Sequence, residues 1–76
     1  MLKSYDVKEI FSKRLDGLIK EKGLNVKTFA KEVGIPYTTV CDWVNKKTFA
    51  SIEHLPKIAM FFNVSTDFLL GIVDFE

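Results

Sequence analysis

Apolar residues recur at three- and four-residue steps from the start of the chain. Val7, Ile10, Phe11, Leu15, Leu18 and Ile19 fall on one stripe of a helix, not on the alternating faces of a strand. Asp6 followed by Glu9 has the form of a helix start, with the aspartate capping a free backbone N–H and the glutamate reaching back in return. The stripe stops at Gly23, a residue that closes a helix in the left-handed conformation without steric cost. The pattern restarts at Asn25, carries Phe29, Ala30 and Val33 on one face, and stops again at Gly34. Pro36 opens a third helix, because its locked φ suits a first-turn position. It also drives Ile35 out of the helical region, so residues 34–36 form a tight turn. Val40, Trp43 and Val44 give the third helix its buried side.

Lys46, Lys47 and Thr48 break the periodicity and read as a polar loop. Ser51 is the expected cap of a fourth helix, with Leu55, Ile58, Ala59 and Phe62 inward. Pro56 removes a backbone donor close to that start, which predicts an irregular opening or a start nearer Leu55. Asn63, Val64 and Ser65 interrupt the pattern once more. Thr66 to Leu70 makes a last short helix ended by Gly71, and residues 72–75 read as a short extended tail. With no internal repeat, low-complexity stretch or linker, residues 1–76 are expected to form one compact all-α domain of five helices.

Length and composition then remove several functions. A chain of 76 residues buries only roughly 60% of its unfolded surface, so every helix must contribute to one shared core. No apolar run approaches the ~20 residues that span a bilayer, and residues 1–6 lack the charged-then-apolar layout of a signal peptide. The single cysteine cannot form an internal disulfide, and no Cys/His cluster or close His pair suggests zinc. The expectation is a soluble, cytoplasmic protein with no membrane contact, metal, cofactor or evident small-molecule ligand. A glycine-rich phosphate loop is missing, as is a nucleophile with an evident base and orienting partner, which points away from an enzyme.

Net charge is only +1, a weak argument against a nucleic-acid partner, but its distribution is uneven. Residues 1–50 carry ten Lys/Arg against six Asp/Glu, a balance of +4, whereas residues 51–76 carry one Lys against four acids, a balance of −3. Such a field turns one end toward a polyanion and the other away. A well-solvated mixed surface would have the same composition.

Residues 26–45 carry the most specific pattern. Two short helices are joined by a Gly–Ile turn, with small Ala30 four positions before Gly34. Ala30 lets the helices cross closely, and Gly34 permits a turn that a side chain would obstruct. Val33, Ile35, Val40 and Trp43 supply the packing that fixes the crossing. These residues, together with the runs at 22–25, 29–35, 39–45, 51–53, 57–59 and 63–71, resemble the lambdoid phage repressor and Cro family of helix-turn-helix domains, also called XRE-like. The resemblance runs from about Phe11 to Gly71. It implies a compact five-helix repressor-like fold with a central helix-turn-helix. It also implies a sequence-specific transcriptional regulator, a repressor that binds a near-palindromic double-stranded operator as a homodimer.

The resemblance places the third helix in the major groove. Tyr37, Thr38 and Asp42 would then face base edges, with Pro36, Thr39 and Cys41 alongside. Threonine hydroxyls read several base edges, Tyr37 offers a phenol, and Asp42 either accepts from a cytosine amine or is a solvated surface acid. Phosphate contacts would come from Asn25, Val26 and Lys27 at the second helix start and from Asn45, Lys46 and Lys47 after the third. Four positions depart from the family pattern. Val26 stands where glutamine is frequent, and Lys46 where glycine is frequent, so that turn must be remodelled or strained. Ile19 and Val44 replace an Arg–Glu pair common in the family, which predicts an apolar contact in place of a buried ion pair.

Three further features remain open at the level of sequence. Cys41 is either a small helix residue or a redox sensor, and His54 reads as a surface or capping residue. Phe68, Leu69, Ile72, Val73 and Phe75 either complete the core or cover themselves in a dimer. A rival function is a helix-turn-helix used for protein contact, such as an antitoxin-type partner, with DNA binding weak or lost. Val26, Asp42 and the small net charge favour it; Lys27, Asn45, Lys46 and Lys47 favour DNA.

Overall fold

The computed structural model describes residues 7–74, which form five helices and no strand. They are α1 (Val7–Glu21), α2 (Val26–Val33), α3 (Tyr37–Val44), α4 (Leu55–Phe62) and α5 (Thr66–Leu70). The first helix packs on α3 and α5, while α2 packs on α3 and α4. Asp6, the expected first cap, lies outside the described residues, as does Phe75.

The apolar stripes meet in one core. Phe11, Leu15, Leu18 and Ile19 of α1 are buried with Phe29, Ala30, Ile35, Val40, Trp43, Ile58, Ala59, Val64 and Leu69, and Ala50 pins the loop between α3 and α4. Two aromatic groups organise this interior. Phe11 meets Trp43 edge to face at 5.9 Å between ring centroids. Phe29 stacks on Phe62 at 5.3 Å and meets Phe61 edge-on at 5.5 Å. Such offset and T-shaped pairs contribute beyond the area that they bury.

All five helices end in the same way. One residue turns left-handed, its N–H bonds the carbonyl three residues back, and the next N–H bonds the carbonyl five residues back. The left-handed residues are Gly23, Gly34, Lys46, Asn63 and Gly71. At Gly34 the need for glycine comes from its φ of +74° and not from crowding, since an added Cβ would meet nothing within 4 Å.

Three local expectations are corrected. Pro36 precedes α3 with an extended ψ of 139° instead of occupying its first turn. Ser51 does not cap α4. Residues 52–54 form a turn whose His54 and Leu55 N–H groups bond the Ser51 carbonyl, and the Ser51 hydroxyl lies 3.2 Å from His54 Nδ1. The helix opens at Leu55, which leaves Pro56 in its first turn, where no intrahelical donor is required. The described tail residues, 72–74, are not extended either. Gly71 turns it, the Ile72 N–H bonds the Asp67 carbonyl, and Arg14 of α1 fastens Val73 and Asp74. Arg14 Nη1 donates to the carbonyls of Phe68 (2.7 Å) and Val73 (2.6 Å), and Nη2 approaches Asp74 Oδ1 at 3.4 Å. Its guanidinium lies 4.4 Å from the centre of the Phe68 ring.

Candidate nucleic-acid interface

Asn25 starts the helix-turn-helix, with its Oδ1 accepting from the Thr28 N–H at 2.7 Å. That bond satisfies one of the free donors at the start of α2. Ala30 and Ile35 are buried, and α2 packs on α3. Val40 and Trp43 anchor α3 from its inner side, and the buried Ser12 hydroxyl donates to the Val44 carbonyl at 2.7 Å. This last bond satisfies an otherwise free carbonyl at the end of α3 and ties the helix to α1.

With one side so anchored, the opposite side of α3 faces out. Pro36, Tyr37 and Thr38 are exposed, and Thr39, Cys41 and Asp42 are half-buried. Asn25 and Lys27 are exposed at the start of α2, as are Asn45, Lys46 and Lys47 after α3. The Val26 side chain packs against the core. Lys27, Thr28, Lys31 and Tyr37 rim a groove of about 440 Å³ floored by Ala30 and Ile35. Lys31 and Thr28 were not among the residues singled out from sequence. Their spacing from Lys27, one and four positions on, places Lys31 on the same helical face.

The lysines differ in their company. Along α1, Lys13 pairs with Glu9 at 3.5 Å and Lys20 with Asp16 at 3.0 Å. Among the described residues no ion pair engages Lys27, Lys31, Lys46 or Lys47. Lys8 and Lys57 are likewise without an ion pair among the described residues, but Lys27, Lys46 and Lys47 are the ones that stand at the two ends of the helix-turn-helix.

Tyr37 and Cys41, one turn apart, form a pair on the outer side of α3. The hydrogen bond to Cys41 holds the phenol in its protonated form and raises its pKa above the ordinary 10.0. The electrostatic interaction with Cys41 and desolvation act in the same direction. The phenol is thus a neutral hydrogen-bonding group throughout the physiological range. Among the described residues, no three His, Cys, Asp or Glu side chains converge to hold a metal ion. No helix is long and apolar enough to cross a membrane.

At the other end of the molecule the apolar C-terminal residues separate. Leu69 is fully buried, which makes it a core residue of its own chain and removes it from the surface patch expected there. Phe68 is half-buried beneath Arg14, Val73 is half-buried, and Ile72 is 64% exposed.

A comparison with family models matches residues 18–69 to a helix-turn-helix family, covering most of the chain and every element from the end of α1 into α5. Comparison with curated proteins and with solved structures finds no significant match.

Proposed function

The chain belongs to the XRE-like helix-turn-helix family, as in Cro and C1 repressors, a family of DNA-binding regulators, and from that premise we propose that α3 reads operator DNA in the major groove. The observation that carries the reading is the placement of exposed Lys27, Lys46 and Lys47, free of ion pairs among the described residues, at the two ends of the helix-turn-helix. In the chain these two ends lie on either side of α2, the turn and α3, and the exposed Pro36, Tyr37 and Thr38 fall between them. Lysines and the backbone N–H groups of Asn25, Val26 and Lys27 take phosphates, which fixes the position of the helix. Tyr37, Thr38, Thr39, Cys41 and Asp42 then discriminate base edges. The protein acts as a repressor by occupying a near-palindromic site as a homodimer, in the cytoplasm where that DNA lies. Ile72, exposed on a tail that Arg14 holds in place, supports the dimer.

Titration of random and selected duplexes across a range of salt tests the proposal. Lys47→Ala should weaken binding to both alike and flatten the log–log salt slope by about one unit. Tyr37→Ala and Thr38→Ala should cost on the order of 1–3 kcal/mol on the selected site and much less on random DNA. Absence of salt-dependent duplex binding would favour the protein-contact role instead.

A further inference from the structure

Four of the five left-handed helix ends carry residues suited to that backbone: Gly23, Gly34, Asn63 and Gly71. The fifth, at the end of α3, carries Lys46 at φ +66°. A lysine in this region brings its Cβ toward the following carbonyl oxygen, a strain that glycine escapes and asparagine tolerates. The backbone around it is firmly held: the Lys46 N–H bonds the Trp43 carbonyl at 3.2 Å, and the Lys47 N–H bonds the Asp42 carbonyl at 2.9 Å. The side chain shows no matching reason within the fold. It is exposed, and among the described residues no ion pair engages it. A cation does gain from the negative end of a helix, but the neighbouring Lys47 supplies one with no such strain. Backbone strain without an internal contact to justify it points to a role outside the fold.

We infer that Lys46 is a phosphate-binding residue carried on a strained backbone, so that stability and DNA affinity oppose each other at this one position. The inference rests on the duplex-reading function above and goes beyond it by making the two properties separable by substitution. The left-handed turn brings two adjacent lysines together at the exposed end of α3, and the strain of the first is the condition for having both.

Lys46→Gly, Lys46→Asn and Lys46→Arg, each measured by thermal unfolding and by titration with random-sequence duplex DNA, test it. Lys46→Asn is included because glycine also loosens the unfolded chain. At least one of the Gly and Asn variants should melt a few degrees higher than the wild type. Both should bind the duplex on the order of threefold to tenfold more weakly near ~0.1 M salt, with the salt slope reduced by about 0.9. Lys46→Arg, which keeps both the charge and the strained backbone, should keep the wild-type salt slope and melting temperature. A wild-type chain that binds DNA while the Gly and Asn variants match its affinity and slope would overturn this inference alone. So would variants that bind more weakly but melt no higher. A wild-type chain without duplex affinity would overturn the underlying reading as well.

Discussion

At the scale of single residues, the glycines of this chain answer to opposite demands. Gly17 lies in the interior of α1, exposed, with nothing within 4 Å of where a Cβ would stand. Gly17→Ala should therefore stabilise the fold by ~0.5–1 kcal/mol, read as a rise of a few degrees in melting temperature. Gly71→Ala should do the reverse, because its φ is +84° and its Cβ would sit 2.7 Å from Ile10 Cγ2. The pair is measured by thermal unfolding, and equal shifts would show that the close approach of Gly71 to α1 is relieved by movement. Cys41 offers a second residue-scale test. With the sulfur removed in Cys41→Ala, the Tyr37 phenol loses the interaction that raises its pKa and should titrate at lower pH, followed by near-ultraviolet absorbance. Because Tyr37 is 50% exposed, the shift changes its ionisation and not the fold.

At the scale of elements, α3 is positioned by a small number of contacts from α1. Ser12→Ala leaves the Val44 carbonyl without its donor and should cost about 1–3 kcal/mol of unfolding free energy in denaturant titration. The same variant should weaken binding to a selected site more than to random duplex, since the tilt of α3 is what it releases. The sequence announced where the helices lie because their stripes repeat locally: Phe11, Leu15 and Ile19, or Ile58 and Ala59, mark a buried face without reference to the rest of the chain. It did not announce Ser12 or Arg14. Both are polar residues on the margin of an apolar stripe, and their partners lie 32, 54 and 59 positions away. Ser51 misled for a related reason. A serine before a helix commonly caps it, but here the backbone turn at 52–54 intervenes and its hydroxyl meets His54. In the candidate interface, the exposed side of α3 followed from the burial of Val40 and Trp43. The Tyr37–Cys41 pair did not, although four-residue spacing places both on one face.

At the scale of the whole molecule, charge and apolar surface divide between two regions. Lys27, Lys31, Lys46 and Lys47 lie in or beside the helix-turn-helix, with Glu32 the exposed acid of α2, while Glu53, Asp67 and Asp74 are exposed in the C-terminal third alongside Lys57. A two-fold pair of such molecules would set its two α3 helices in successive major grooves, roughly 34 Å apart. Ile72→Glu should weaken self-association in sedimentation and lower affinity for a two-half-site duplex, while leaving helicity unchanged because the side chain is already largely in solvent. An intact chain that sediments as a monomer while saturating the full site would rule out that assembly.

The hold of Arg14 on Phe68 and Val73 also bears on how the protein is made. A ribosome adding about 5–20 residues per second completes α1 several seconds before the carbonyls that Arg14 grips have been synthesised. Through that interval the nascent first helix has no α5 to lie against, and Ile10 and its neighbours are open to chaperones and proteases. Closure of the fold thus waits for the synthesis of Val73. A chain truncated before Val73 lacks one of the two carbonyls that Arg14 grips, so its first helix is held less firmly.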